Sequence, residues 1–156
     1  MNKNSTRVCI HVNAPPEVVY RALLDSRAIA RWKVPNGMTC HVHQFDAREG
    51  GSFRISLTYN SPTDSGKTAH TDTYHGHFVK LVTDKQVVEE DEFETTDPAM
   101  RGKMTGTITL SDADGGTDVV GVHHGLPPGV SGDDNETGWR MALAKLAALC
   151  EARNKK

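Results

Sequence analysis

Helical segments stand at the two ends of this chain, and the residues between them have the pattern of strands and turns. Near the start, Pro15 and Pro16 suit the first turn of a short helix that runs to Leu23, and a second short helix runs through Ile29 to Trp32. Near the end, one long helix has an apolar stripe formed by Trp139, Leu143, Leu146 and Cys150. A long sheet that only one closing helix is large enough to cover usually encloses a cavity.

Alternation of apolar and polar residues predicts seven strands. They cover about residues 7–12, 40–46, 53–59, 70–82, 86–94, 104–110 and 117–124. Residues 60–68, rich in Ser, Thr, Gly and Pro, predict a long and mobile hairpin loop, and Asp114-Gly115-Gly116 is a hairpin signal. Consecutive hairpins in this number form an antiparallel sheet that curls. We therefore predict an α+β helix-grip fold, in which a curved antiparallel sheet of about seven strands wraps around the long C-terminal helix and two short helices follow the first strand.

Length and charge exclude several classes of protein. A chain of 156 residues predicts a single domain over residues 1–156, with residues 1–5 and 154–156 flexible. The net charge of -2 provides no basic field for nucleic acid, and no apolar run approaches the roughly 18 residues that a membrane span needs. Residues 1–5 contain no apolar signal core, so we expect a cytoplasmic protein. The sequence is compatible with a monomer or a homodimer.

The three cysteines predict reduced thiols with structural roles. Cys9, Cys40 and Cys150 are an odd number and lie far apart in the sequence, which is typical of a cytosolic protein rather than a disulfide framework. Cys9 and Cys40 fall on strands that we expect to lie near each other. We interpret both as thiols in or under the sheet.

Strand phase places three polar residues on the concave face of the predicted sheet. If Val8 and Val12 point inward, the same phase along the later strands directs Glu89, Asp91 and His123 inward as well. Carboxylates in an apolar space are costly unless they are paired or hydrogen-bonded, and His123 is their candidate partner. Such a group would anchor a ligand or act as an acid/base pair. The alternative is a bulge that turns the acidic run 89–92 toward solvent.

The other polar motifs carry less functional weight. His41 and His43, like His75 and His77, share one face of a strand but are out of phase with the apolar residues, so we expect them to point to solvent. Zinc requires three or four converging ligands, and no further ligand motif accompanies these pairs. No nucleophile elbow or phosphate-binding loop is present. We therefore assign no metal, no cofactor and no catalytic residue.

Five short motifs in the same order resemble one family. They are residues 14–23 (Ala-Pro-Pro-Glu-Val-Val-Tyr-Arg-Ala-Leu) with Arg31-Trp32, residues 45–53 around an Asp-x-Arg-x-Gly-Gly turn, residues 76–81, Gly115-Gly116-Thr117, and Gly138-Trp139. Together they resemble the START-like, birch-pollen-allergen-like (SRPBCC) superfamily, and more narrowly the domains related to the C-terminal part of the activator of the heat-shock-protein-90 ATPase. The resemblance covers nearly the whole chain. One departure is Lys33, where family members often have a second aromatic residue.

The resemblance implies a cavity more strongly than a reaction. We predict that the domain binds a hydrophobic or amphipathic small molecule, a lipid among the candidates, between the sheet and the C-terminal helix. The residues that we expect to contact this molecule are Trp32, Phe53, Ile55, Phe78, Asp91, Met104, Gly121, His123, Trp139 and Leu143. Gly121 should leave room for it, so that Gly121→Leu would fill the cavity without disturbing the fold.

Two other functions remain open at this point. The resemblance permits a co-chaperone-like module of the stress response that stimulates an ATPase through its surface, although no partner domain precedes this one in so short a chain. It also permits a cyclase- or hydrolase-type enzyme that uses His123 with Asp91 or Glu89, which we regard as the less favoured possibility. An apolar-filled interior would favour the interaction module, and an open cavity with a buried His–carboxylate pair would favour the enzyme.

Overall fold

The structure is a computed structural model that describes residues 4–60 and 71–154. Its strands are β1 (Ser5–Val12), β2 (Met38–Phe45), β3 (Ser52–Tyr59), β4 (Thr71–Val82), β5 (Gln86–Phe93), β6 (Met104–Ala113) and β7 (Gly116–His124). Its helices are α1 (Pro16–Leu23), α2 (Ser26–Trp32) and α3 (Gly132–Asn154), with one 3-10 turn at Pro98–Met100. This element order confirms the predicted α+β helix-grip fold.

The seven strands form one antiparallel sheet in the order β1-β7-β6-β5-β4-β3-β2. Every neighbouring pair except β1 with β7 joins strands that follow each other in the chain, as consecutive hairpins require. At the β6–β7 turn, Asp114 and Gly115 have φ of 48° and 77°, which suits the tight hairpin predicted there. β1 and β2 are the two edge strands, so the expectation that Cys9 and Cys40 lie near each other is wrong. Strand order cannot be read from phase alone, because β1 pairs with the last strand rather than with the next one.

The core lies between the concave face of the sheet and the helices. Strand phase predicts eleven apolar residues to point inward, of which Ile10 and Leu57 are partly buried. The others are buried: Val8, Val12, Phe53, Ile55, Phe78, Val87, Met104, Ile108 and Val119. From α3, Leu143, Leu146 and Cys150 are fully buried, whereas Trp139 is half-buried. The apolar stripe of α3 therefore covers the sheet as predicted, with its first residue at the margin.

Trp32 attaches the short helices to the core together with the buried side chains of Val19, Leu23 and Ile29. The Trp32 side chain is 1% exposed, and its Nε1 donates to the carbonyl oxygen of Ala22 at 3.0 Å. Ala22 lies in the last turn of α1, where carbonyl groups lack a partner within the helix. The side chain of Asp25 caps α2 by accepting from the backbone N–H of Arg27. The indole therefore joins α2 to the end of α1, and the cap stabilises the start of α2.

The ends of the chain and of α3 differ in detail from the expectation. In the sequence, Asp133 and Glu136 resemble a capping box. In the structure α3 begins at Gly132, and Ser131 Oγ accepts from the backbone N–H of Asp134.

Of the segments expected to be flexible, Ser5 opens β1 and Asn154 ends α3, whereas residues 1–3 and 155–156 lie outside the described residues. The predicted mobile loop at 60–68 also lies outside them, apart from residue 60.

Within the described residues, no helix is long and apolar enough to cross a membrane.

Candidate functional site

Four ionisable side chains lie together inside the concave face of the sheet. We call Lys33, Glu89, Asp91 and His123 the interior polar cluster. Glu89, Asp91 and His123 are each 7% exposed, and the side chain of Lys33 is 12% exposed. The alternative in which a bulge turns residues 89–92 toward solvent is therefore wrong, because β5 keeps its alternation through Asp91.

Gly106 on β6 is what allows this cluster to form across a strand. β6 lies between β5 and β7, and Gly106 is the register partner of both Glu89 and His123. A Cβ atom at position 106 would lie 3.3 Å from Glu89 Cγ and 3.4 Å from its Oε1, which is a tight contact. Because Gly106 has no side chain, the polar groups of β5 and β7 approach each other over it.

Lys33 is the counterion of Glu89. Its Nζ donates to Glu89 Oε1 at 2.7 Å, at a site where both side chains are nearly enclosed. The same Nζ lies 5.6 Å from the ring centre of Phe53 and 6.0 Å from those of Tyr74 and Trp139. The ammonium group therefore has both a carboxylate and three aromatic faces as compensation for lost water.

The hydrogen bonds of His123 determine which ring nitrogen carries the proton. Asn135 Nδ2 lies 3.2 Å from His123 Nδ1 and Trp139 Nε1 lies 3.3 Å from it. An indole nitrogen can only donate, and the Asn135 amide directs its NH₂ group at the same ring nitrogen while its Oδ1 accepts from Thr6 Oγ1. Nδ1 must therefore be the acceptor, and the proton of the neutral ring lies on Nε2.

The side chains of His123 and Asp91 face each other without forming a hydrogen bond. His123 Nε2 and Asp91 Oδ1 are 3.6 Å apart, which is too long for one. Among the described residues these are the buried side-chain nitrogen and oxygen atoms that lack a partner. Buried polar groups are nearly always satisfied, so an unsatisfied pair points to a missing occupant.

A small cavity adjoins this pair under α3. Its volume is about 10 Å³, enough for one water molecule. It is lined by Val87, Glu89, Gly106, Thr107, Ile108, Gly121, Val122 and Trp139. Glu89 and Gly121 stand two residues before Asp91 and His123 on the same face of their strands, and Trp139 of the lining also contacts His123.

A larger open groove of about 680 Å³ lies at the opposite end of the sheet, beside the start of α1. Its lining includes the charged residues Glu17, Asp84, Lys85 and Asp112. The unsatisfied buried atoms named above belong to Asp91 and His123 and lie outside this lining. The groove is the larger of the two spaces, but the buried ionisable side chains lie in the interior polar cluster. We therefore take the cluster as the candidate site.

The structure places the sequence-predicted contact residues in two groups. Gly121 and Trp139 line the small cavity, and Asp91 and His123 adjoin it. Trp32, Phe53, Ile55, Phe78, Met104 and Leu143 are buried in the core. A Cβ at position 121 would lie 3.7 Å from Leu143 Cδ1, an ordinary contact distance, so alanine fits there. The effect of Gly121→Leu on the fold stays a prediction.

Burial raises the pKa of Glu89, and the charge of Asp91 raises it further, while Lys33 opposes both. The folded protein therefore holds the Glu89 proton more tightly than the unfolded chain does. We compare the free energy of unfolding of the unmodified protein with that of Glu89→Gln. The difference between them should favour the unmodified protein most at pH below 4.5, the ordinary pKa of glutamate, and should shrink as pH rises above it. Urea denaturation between pH 4 and pH 7 measures this difference. A difference that grows with pH would mean that Lys33 outweighs burial.

The predicted histidine pairs lie on the outer face of the sheet. His41 and His43 are exposed, with ring centres 4.5 Å apart, and His43 Nε2 lies 2.7 Å from Ser56 Oγ. His75 contacts Glu94 at 3.0 Å and Glu92 at 3.3 Å. Within the ranges that the structure describes, no cluster of three or more His, Cys, Asp or Glu side chains is arranged to hold a metal ion.

Sequence reasoning missed three residues of the site. Lys33 was noted only as a departure from the family's aromatic residue, and the sequence analysis assigned no role to Gly106 or Asn135. The signal for Gly106 was available, since a glycine in phase with inward residues and opposite Glu89 provides space. For Asn135 no local signal exists, because its role depends on contacts with Thr6 and His123, which lie on other elements.

A family model and solved structures match this chain over nearly its whole length. A family model described as Activator of Hsp90 ATPase homolog 1-like protein matches residues 13–151. Among solved structures, a Chromobacterium violaceum protein is 34% identical, with a TM-score of 0.85 over 95% of this chain and 97% of that chain. A Rhodobacter sphaeroides protein is 18% identical, with a TM-score of 0.78 over 96% of this chain and 93% of that one. The second likeness is one of fold alone. No curated protein gives a significant match.

Proposed function

Because this chain belongs to the family of Activator of Hsp90 ATPase homolog 1-like proteins, we propose that it binds a small hydrophobic or amphipathic molecule between the sheet and α3. The polar contacts of this molecule are Asp91 and His123, and its apolar surface lies against Val87, Ile108 and Trp139. A ligand site of this kind combines apolar walls with a few placed polar groups.

The observation that supports this proposal is the unsatisfied pair. Asp91 Oδ1 and His123 Nε2 are buried, face each other and lack a hydrogen-bond partner. Leaving such atoms unpaired costs about 1–3 kcal/mol each. A ligand that satisfies both atoms in place of a bound water molecule keeps them paired and adds apolar contacts.

Entry of the ligand requires movement at Trp139. The cavity of about 10 Å³ holds only a water-sized molecule in the arrangement described. Trp139 forms part of its wall, is half-buried, and packs edge-on against His123 with ring centres 5.8 Å apart. Displacement of this indole from the first part of α3 enlarges the space directly above the unsatisfied atoms.

We expect N-phenyl-1-naphthylamine, an uncharged fluorescent probe, to bind and to quench tryptophan emission. Trp139→Phe should remove most of the quenching, because Trp32 is buried elsewhere in the core. Gly121→Ala should weaken binding about fivefold or more, since the added methyl group overfills the site. Fluorescence titration measures both effects.

Val79→Ala is the matched control for Gly121→Ala, because Val79 is 49% exposed. Equal affinities for the two variants would remove Gly121 from the site. Failure of the probe to bind, together with no co-purified small molecule in native mass spectrometry, would count against ligand binding altogether.

One observation favours a second function, that of a co-chaperone-like module that stimulates an ATPase. The interior is almost filled, so the fold does not need a ligand to complete its core. This alternative predicts that the protein raises the ATPase rate of an Hsp90-type chaperone and that Asp91→Asn leaves this effect unchanged. An unchanged ATPase rate in the presence of excess protein would count against it.

The enzyme alternative finds little support in the geometry. It assigns the role of general base to His123, whose Nδ1 is occupied by two donors and whose Nε2 carries the proton. Toward the cavity His123 therefore presents a hydrogen-bond donor. This is a binding group, and our proposal includes no reaction.

A further inference from the structure

We propose that the Asp91–His123 pair binds a hydroxyl group of the ligand, which accepts a hydrogen bond from His123 Nε2 and donates one to Asp91 Oδ1. This inference rests on the proposed ligand-binding function and names the chemical class of the ligand: an apolar molecule with a hydroxyl group at the end that enters first. It assigns Asn135 as the residue that positions His123 for this contact.

The two unpaired atoms have opposite hydrogen-bonding roles. His123 Nε2 is a donor, because its Nδ1 accepts from Asn135 and Trp139, and Asp91 Oδ1 is a carboxylate acceptor. A carboxylate or an ether can only accept and an ammonium group can only donate, so each leaves one atom unsatisfied. A hydroxyl group both accepts and donates, and therefore satisfies the two atoms together.

The distance also suits a hydroxyl group. The two atoms are 3.6 Å apart, and a single oxygen atom can lie about 2.8 Å from both. An amide also accepts and donates, but through two separate atoms, which require a wider gap. A one-atom bridge is the arrangement that this gap accommodates.

Asn135 helps to determine which nitrogen of His123 carries the proton, because it links three parts of the fold. It accepts from Thr6 Oγ1 at the start of β1 and directs its Nδ2 at His123 Nδ1 from the start of α3. Trp139 Nε1 can only donate, so Nδ1 is an acceptor and the amide of Asn135 presents its donor to the ring. In Asn135→Asp/Trp139→Phe an acceptor replaces the two donors, which moves the ring proton to Nδ1 and makes Nε2 an acceptor.

The test compares two ligands of the same skeleton, 2-naphthol and 2-methoxynaphthalene, by calorimetric or fluorescence titration. We expect 2-naphthol to bind the unmodified protein about tenfold or more tightly, because the ether leaves Asp91 unpaired. Asp91→Leu should abolish this preference, and the matched control Glu90→Leu, one position along on the outer face of β5, should retain it.

A second measurement needs no ligand, and its decisive part uses the unmodified protein. Long-range ¹H–¹⁵N correlation NMR of the unmodified protein should show His123 with the proton on Nε2, and Asn135→Asp/Trp139→Phe should shift it to Nδ1. A proton on Nδ1 in the unmodified protein would overturn the inference.

The titrations distinguish failure of the hydroxyl contact from failure of ligand binding itself. Equal binding of 2-naphthol and 2-methoxynaphthalene would overturn the hydroxyl contact and leave ligand binding intact. A preference that persists in Asp91→Leu would place the hydroxyl contact elsewhere and would also overturn it. Binding of neither compound would count against the proposed function itself.

Discussion

Replacing Lys33 with methionine should lower the free energy of unfolding by about 3–5 kcal/mol at neutral pH, because it leaves the carboxylate of Glu89 buried without its counterion. The pair is joined at 2.7 Å, with 12% and 9% of the side chains exposed. Methionine retains most of the aliphatic length of lysine, so the loss reflects charge rather than volume. Urea denaturation followed by circular dichroism measures it.

The double variant Lys33→Met/Glu89→Gln separates the two causes of this loss. With both charges removed, we expect most of the lost stability to return, because an intact buried pair contributes little net stability. Lys103→Met is the matched control, since Lys103 pairs with Glu90 on the outer face, 3.6 Å away and with 69% of its side chain exposed. Its effect should stay within about 1 kcal/mol. A similar loss in both lysine variants would show that Lys33 is effectively solvated.

Trp32→Ala should cost about 3–5 kcal/mol, a loss typical of fully buried tryptophan. The indole is 1% exposed, and its Nε1 donates to Ala22, so removal creates a void and leaves a carbonyl group at the end of α1 unpaired. The attachment of α1 and α2 to the core should weaken together. Denaturant titration measures the loss, and protection of α1 amides from hydrogen exchange locates it.

Trp139→Ala is the natural comparison for Trp32→Ala. Trp139 is the first residue of the apolar stripe of α3, but its side chain is only half-buried. We therefore expect Trp139→Ala to cost clearly less than Trp32→Ala. The reverse order would mean that the first part of α3, rather than the α1–α2 pair, contains the more important apolar contact.

Strand phase was the most reliable signal in the sequence. Alternation in residues 86–94 placed Glu89 and Asp91 inward, and the same rule placed His123 inward on the last strand. This rule is local, since it needs only the backbone geometry of one strand. It correctly predicted the face of each polar residue, and the ends of most elements within a few residues.

Properties that depend on distant partners were not predictable. The sequence shows Lys33 56 residues before Glu89 and Asn135 129 residues after Thr6, and nothing local connects them. The neighbour of Gly121 was not predictable for the same reason, because it is Leu143 of α3. Periodicity determines which way a side chain points, but packing of the helices onto the sheet determines what it meets.

The distribution of the three thiols makes this protein convenient for site-specific labelling. Burial raises the pKa of Cys40 to about 11 and that of Cys150 to about 11, so neither thiolate is significantly populated at neutral pH. Cys9 is exposed on the outer face of the edge strand β1. A maleimide fluorophore should therefore attach at one known position, on the side of the sheet opposite the interior polar cluster, and the unaltered sequence can serve in distance and binding measurements.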